Sequence, residues 1–84
     1  MLQRISVSYN GEGIFLSSSS NNSLTDITAN LNYHGISLYS SSNNSLTSIR
    51  ASSNQGNGIS LFYSSSNNSL TDITANSNKF GIIL

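Results

Sequence analysis

Apolar residues return along the chain at fixed distances, and serine, threonine and asparagine fill the positions between them. The segment Gly-Ile-x-Leu begins at Gly13, Gly35, Gly58 and Gly81, so the spacings are 22, 23 and 23 residues. Each of the first three copies leads into Asn-Asn-Ser-Leu, which ends at Leu24, Leu46 and Leu70. Self-similarity at a period of about 20–50 residues predicts a solenoid.

Within each repeat the apolar positions favour short strands. Ile36 and Leu38 alternate with Ser37, and Ile27 alternates with Thr28 in the same way, which is the period of two that β-strands show. No segment carries a helical period over the roughly 8–12 residues that a helix needs. Because Leu46 forms a third, isolated apolar position, we expect three short strands per turn and no helix.

These features predict an all-β fold: a single-stranded, right-handed parallel β-helix of about three and a half coils of 22–24 residues. Residues 1–84 form one segment, with coils at 2–23, 24–45, 46–69 and 70–84. Single-residue insertions at 53–57 and 62–66 fall in polar segments, which we interpret as turns. Because the sequence starts and stops part-way through a coil, we expect a fragment of a longer solenoid, or end-to-end association through uncapped coils.

Stacked coils would place like residues over like, and we expect Ile14, Ile36, Ile59 and Ile82 in a single file. Asparagine columns at two corners are candidates for ladders in which each side-chain amide bonds the next. They are Asn10, Asn32, Asn54 and Asn78, and then Asn22, Asn44 and Asn68. We expect the glycines at 13, 35, 58 and 81 to adopt a positive φ in turns.

Asn-Asn-Ser-Leu, a further Asn and Gly-Ile-x-Leu together resemble the β-helix repeats of pectin-lyase-like proteins over essentially the whole chain. The sequence is most similar to the NosD-type branch and to Ser/Asn-rich repeat proteins of archaeal and bacterial surfaces. The resemblance implies an extracellular, cell-surface or periplasmic location. The family includes polysaccharide lyases, hydrolases, epimerases and adhesin stalks, and NosD itself is linked to copper delivery.

Few residues of this sequence could carry out the chemistry of such enzymes. Asp26 and Asp72 lie two coils apart, about 9–10 Å, which is too far to share one calcium ion. With Arg50 they form a surface charge cluster, so we assign no catalytic residue. One histidine and no cysteine provide no soft-ligand cluster, so we expect no metal and no cofactor. We interpret His34 as an exposed loop residue.

The composition limits the classes of partner that the chain is expected to bind. Three basic and three acidic residues give a net charge of zero, which argues against nucleic acid. No apolar run approaches the roughly 20 residues of a membrane span. Exposed aromatic residues can stack on sugar rings, or they can cover corners of the core. The candidates for polysaccharide or cell-surface glycan stacking are Tyr33, Tyr39, Phe62 and Tyr63.

The preferred hypothesis is therefore a non-catalytic structural and binding segment of a secreted or cell-surface protein. The alternatives are a non-catalytic fragment of a carbohydrate-active enzyme or of a NosD-like protein, and an ice-binding module that uses the threonine columns beside Ile27, Ile49 and Ile73. Three Asn-x-Ser patterns, at Asn21, Asn43 and Asn67, fit the N-glycan acceptor motif.

Overall fold

The computed structural model describes residues 2–63 and 65–83, in which eight β-strands form two parallel sheets. The first sheet has the order β1 (Leu2–Val7), β3 (Ser23–Ala29), β5 (Ser45–Arg50) and β7 (Ser69–Thr74). The second has the order β2 (Glu12–Ser17), β4 (His34–Tyr39), β6 (Asn57–Phe62) and β8 (Phe80–Ile83). Each strand pairs with its equivalent one coil away, so the predicted parallel solenoid is confirmed.

All regular structure in these residues is strand. The part of the chain that the structure describes therefore contains no helix of the length and hydrophobicity needed to cross a bilayer.

The core consists of apolar columns that follow the solenoid axis. Ile14 pairs with Ile36, Ile36 with Ile59, and Ile59 with Ile82, so the predicted single file is confirmed. The middle coils bury their members almost completely, whereas Ile82 on the last coil remains 43% exposed. The fully buried members are Leu24, Ile27, Ala29, Ile36, Leu38, Leu46, Ala51 and Ile59. Burial of each of these leucine and isoleucine side chains contributes roughly 1.5–3 kcal/mol, which supplies stability without disulfides.

The expectation of three strands per turn was wrong, because each full turn has two. Leu24 and Ile27 are both buried although they are three residues apart, which a regular strand cannot arrange. Asp26 between them adopts a φ of 55°, and this left-handed residue bends β3 so that both apolar side chains point inward. Ser48 and Asp72 bend β5 and β7 in the same way.

The expectation that the repeat glycines take positive φ was also wrong. They lie within β2, β4, β6 and β8, and none of the described glycines has a positive φ. Their small size matters instead. A Cβ on Gly35 would lie 2.5 Å from the carbonyl oxygen of Gly58 and 3.0 Å from Nδ2 of Asn54. The glycine column therefore permits close approach of successive coils beside an asparagine ladder.

Both asparagine columns form ladders, but with different bonds from those expected. In the first column, the backbone N–H of Asn10 donates to Oδ1 of Asn32, and Asn32 donates in turn to Asn54. The Nδ2 group of Asn32 donates to the carbonyl oxygens of Val7 and Asn30. The side chains thus satisfy the backbone at corners. Among the described asparagines of the two columns, Asn54 and Asn78 alone share a hydrogen bond between their side chains.

Serines form a third ladder that the sequence did not reveal. The N–H of Ser19 donates to Oγ of Ser41, and the N–H of Ser41 donates to Oγ of Ser65, both at 3.0 Å. Buried Ser41 also donates its hydroxyl proton to a backbone carbonyl. Within the described residues, no buried side-chain nitrogen or oxygen lacks a partner.

The two insertions occur where the sequence places them. The offset between coils two and three is 22 residues at Asn32 and Asn54 but 23 at Ile36 and Ile59, so the first insertion lies between these pairs. The offset rises to 24 between Tyr39–Phe62 and Ser41–Ser65. Ser64, in this second segment, is outside the described residues.

Candidate functional site

Four aromatic rings form a cluster on the outer face of the second sheet. The Tyr39 ring centroid lies 5.2 Å from that of Phe15 and 5.3 Å from those of Phe62 and Tyr63. The contacts with Phe15 and Phe62 are edge-to-face, an arrangement that the ring quadrupole favours. Tyr39 is therefore the centre of an aromatic cluster that spans three coils.

Strand register aligns these rings along the solenoid axis. Ser17, Tyr39 and Phe62 occupy one column, and Tyr63 follows Phe62 at a left-handed φ of 55°. Phe15 lies in the next column, which continues with serines. The two serines below it, Ser37 and Ser60, are buried although they alternate with the inward-pointing core residues.

The four rings differ in exposure: two are accessible to a ligand, and the other two are half-buried beneath them. Tyr39 and Phe62 are half-buried, whereas Phe15 is 50% exposed and Tyr63 is 72% exposed. The two inner rings support the outer two, so much aromatic surface meets solvent without a change of backbone conformation. Aromatic surface of this kind offers apolar contact and, at the tyrosine hydroxyls, hydrogen bonding.

Three of these rings, Tyr39, Phe62 and Tyr63, are stacking candidates predicted from the sequence, whereas Phe15 was not predicted as one. The repeat could have indicated Phe15, because it lies one coil above Ser37, and Ser37 is two residues before Tyr39 on the same strand. The fourth candidate, Tyr33, has a different neighbour. Its ring is edge-to-face with His34 at 4.8 Å, and no ring contact joins it to the cluster among the described residues.

His34 is not the exposed loop residue that the sequence suggested. It is half-buried at the start of β4, and its Nδ1 accepts the backbone N–H of Asn57 at 3.0 Å. The imidazole lies against Gly56, where a Cβ would approach its Cε1 to 2.5 Å. The insertion in coil three therefore packs around this histidine, a long-range contact that its polar sequence surroundings did not indicate.

A shallow groove of about 550 Å³ runs over the outer face of the first sheet at the left-handed bend. Asp26 and Asp72 line it on the second and fourth coils, and Arg50 lies between them on the third. All three side chains are exposed. None of them forms an ion pair within 4.0 Å anywhere in the described residues.

Metal-binding side chains are scattered. Across residues 2–63 and 65–83, no three His, Cys, Asp or Glu side chains come close enough to hold an ion. The acceptor asparagines of the Asn-x-Ser patterns, in contrast, share one corner. Asn21, Asn43 and Asn67 are exposed and left-handed, whereas the asparagine after each belongs to a ladder.

The family model described as a right-handed β-helix region matches residues 2–84. The chain belongs to this right-handed β-helix family. Membership agrees with the parallel pairing of both sheets and with the right-handed crossover that parallel strands prefer. Right-handed β-helices include enzymes and non-enzymes. Family membership therefore identifies the architecture, and the activity has to be inferred from the site. No curated protein and no solved structure matches the chain significantly.

Proposed function

We propose that this right-handed β-helix is a non-catalytic binding segment of a secreted or cell-surface protein. Its ligand is a polysaccharide that lies along the aromatic cluster of Phe15, Tyr39, Phe62 and Tyr63. The observation that carries the proposal is the alignment of these rings on three successive coils, with two of them at least half exposed.

The physical argument rests on the complementarity of sugar rings and aromatic rings. A sugar presents apolar C–H groups on one face and hydroxyls at its edge, and a tyrosine presents an apolar face with a polar tip. An extended glycan can contact aligned rings repeatedly, whereas a single exposed ring gives one contact. Tyr9 is such a single ring, 83% exposed and without a ring contact among the described residues.

The surroundings of the cluster favour an uncharged glycan. Strands β2, β4 and β6 carry one acidic residue, Glu12, and no lysine or arginine. Glu12 pairs with His34 at the opposite end of these strands from Tyr39. An acidic polysaccharide would find no lysine or arginine on these three strands to balance its charge, so we expect neutral polysaccharides to bind better.

The test is a glycan array followed by titration calorimetry on any glycan that binds. A variant with Tyr39→Ser and Tyr63→Ser removes the central and the most exposed ring. Serine is compatible with both columns. Ser17 precedes Tyr39 in one, and in the other Ser18 and Ser40 adopt a left-handed φ of 50°, close to the 55° of Tyr63. We expect an affinity loss of about fivefold or more, since the two aromatic contacts that are removed contribute about 0.5–1.5 kcal/mol each.

Tyr9→Ser is the matched control, because it removes an exposed tyrosine from a column that also contains Ser53 and Ser77. It should leave the affinity unchanged. Absence of binding to every glycan by the original protein, or equal binding by the double variant, would reject the proposal.

A further inference from the structure

Four of the six charged side chains of the protein lie on the outer face of the first sheet. They are Arg4, Asp26, Arg50 and Asp72, one on each coil. The signs therefore alternate along the solenoid axis as positive, negative, positive and negative. In a chain otherwise coated by serine, threonine and asparagine, this concentration of charge on one face sets that face apart.

The four charges are closely aligned. Arg4, Asp26 and Asp72 occupy one column at the strand bend, with φ values of 53°, 55° and 55°. Arg50 lies two residues beyond the Ser48 member of the same column, about 6–7 Å to one side. Successive coils are about 4.8 Å apart, so the row spans roughly 14–15 Å.

These charges are not neutralised by contacts within the chain. All four side chains are exposed, and the described residues contain no ion pair to any of them within 4.0 Å. When a second copy of this row runs in the opposite direction, each positive charge of one row faces a negative charge of the other. Such self-complementarity is what an isologous contact between two copies of one surface requires.

We propose that this face pairs with the same face of a second copy, with the two solenoids antiparallel. A two-fold axis parallel to the strands places Arg4 opposite the partner's Asp72. It places Asp26 on the coil opposite the partner's Arg50, about 6–7 Å away along the strand, a distance that the long arginine side chain can span. The symmetry repeats both pairs, so each of the four charges meets an opposite one. A parallel arrangement would oppose like charges instead.

The groove at the bend provides space for this contact. It has a volume of about 550 Å³ and is lined by Asp26, Arg50 and Asp72, with Thr28 and Thr74 beside them. The long side chain of a partner's arginine can enter it to reach an aspartate. Four strands present only roughly 300–400 Å² per copy, well below the ~800 Å² of a stable interface. The pairing should therefore be weak and sensitive to salt.

Sedimentation equilibrium of the protein at low salt and at about 1 M salt measures this association. We expect a monomer–dimer equilibrium that weakens at least about tenfold in high salt. In the dimer, Asp26→Arg would place an arginine opposite the partner's Arg50, and Arg50→Glu would place a glutamate opposite the partner's Asp26. Each variant alone should lose dimerisation by at least about tenfold. Arg4 already occupies the column of Asp26, so arginine is compatible with that backbone conformation.

The decisive experiment mixes the two reversed variants. Asp26→Arg and Arg50→Glu together restore opposite charges at every pair, so the mixture should form a heterodimer that neither component forms with itself. Their net charges are +2 and −2, starting from zero. Mixing Asp26→Arg with Lys79→Glu has the same net charges but leaves one pair of arginines opposed in the heterodimer. Because Lys79→Glu keeps the original charge row and can pair with itself, the heterodimer alone is measured, with a fluorescent label on Asp26→Arg. This control mixture should form less heterodimer.

Each other outcome overturns the proposal. A protein that remains monomeric at low salt and high concentration lacks the contact. Association that persists in Asp26→Arg and in Arg50→Glu indicates another surface, such as the end-to-end stacking expected from the sequence. Equal heterodimer formation in the two mixtures indicates attraction by net charge alone. Circular dichroism of each variant establishes that its fold is retained.

Discussion

The backbone N–H of Asn32 donates to Oδ1 of Asn54, one coil further along the solenoid, at 2.9 Å. Both asparagines are almost fully buried, at 2% and 3% exposure. Asn54 repeats the bond with Asn78 at the same distance. Asn32 and Asn54 thus each accept a hydrogen bond from the preceding coil and donate one to the next, and with Asn10 and Asn78 at the ends the ladder connects the corners of four coils.

Asn54→Ala tests how much this ladder contributes to stability. The substitution leaves the buried N–H of Asn32 without its acceptor and also removes the bond from Nδ2 to Asn78. An unsatisfied buried donor costs about 1–3 kcal/mol, so we expect the free energy of unfolding in urea to fall by that amount. Gln55→Ala truncates the exposed neighbouring amide and should change it by less than about 0.5 kcal/mol. Similar losses for both variants would contradict a special role for the ladder.

Gly35→Ala and Gly81→Ala distinguish close packing from turn formation as the reason for the glycine column. A Cβ at residue 35 would lie 2.5 Å from the backbone oxygen of Gly58, whereas at residue 81 its nearest neighbour would be the oxygen of Ala75 at 3.1 Å. We expect Gly35→Ala to cost about 1–3 kcal/mol of unfolding free energy and Gly81→Ala clearly less. If both cost the same, close approach of the neighbouring coil is not the cause.

The repeat predicts the apolar columns and both asparagine ladders, in which like residues stack on like, although the serine ladder was not predicted. The isoleucine file, the leucine columns and both asparagine ladders follow from the 22- to 24-residue spacing alone. The register is strongly specified because a slip of one residue would turn Ile36 and Leu38 outward. Local insertions left these columns intact, since they fall between Asn54 and Ile59 and between Phe62 and Ser65.

Features that depend on backbone conformation could not be predicted in this way. Left-handed residues here are arginine, aspartate, serine, tyrosine, leucine and asparagine, and none of the described glycines is among them. The usual association of glycine with positive φ therefore led to the wrong positions. In the Asn-Asn pairs, the predicted ladder member is the buried one: Asn44 is 1% exposed, whereas Asn43 is exposed. The left-handed conformation of Asn43, with a φ of 58°, was not predicted.

The candidate site depends even more on three-dimensional contacts. Tyr39 contacts rings from the coils before and after it, and nothing in the local sequence links it to Phe15 rather than to Tyr33. The alternating charges are visible in the sequence only after the column of Arg4, Asp26 and Asp72 has been established. Repeat alignment therefore predicts which residues share a column, and the structure determines which columns share a face.

Gly56→Ala tests how tightly coil three packs against His34. The added Cβ would lie 2.5 Å from Cε1 and 2.6 Å from Nδ1 of the imidazole, so the ring must move and release the N–H of Asn57. We expect a loss of about 1–3 kcal/mol in unfolding free energy. In a His34→Ala background the same change should cost at least about 1 kcal/mol less, because the obstructing ring is absent.

Gly11→Ala is the matched control for this cycle. A Cβ at residue 11 meets nothing within 4 Å, and the residue has no positive φ. The change should be neutral or stabilising by up to about 1 kcal/mol, since alanine restricts the unfolded chain. Additive effects of Gly56→Ala and His34→Ala would show that the ring and the glycine are energetically independent.

Leu31→Asn should stabilise the protein, although it replaces an apolar residue by a polar one. Leu31 adopts a φ of 61° at a corner and is 50% exposed. The left-handed region costs an ordinary residue roughly 1–2 kcal/mol, and asparagine adopts it with a smaller penalty. Because half of the leucine surface is already in water, we expect a net gain of about 0.5–1 kcal/mol in the free energy of unfolding. Leu2→Asn makes the same replacement on β1 at 39% exposure without a positive φ, and there we expect a loss. Destabilisation by both substitutions would mean that apolar contacts of Leu31 outweigh the relief of backbone strain.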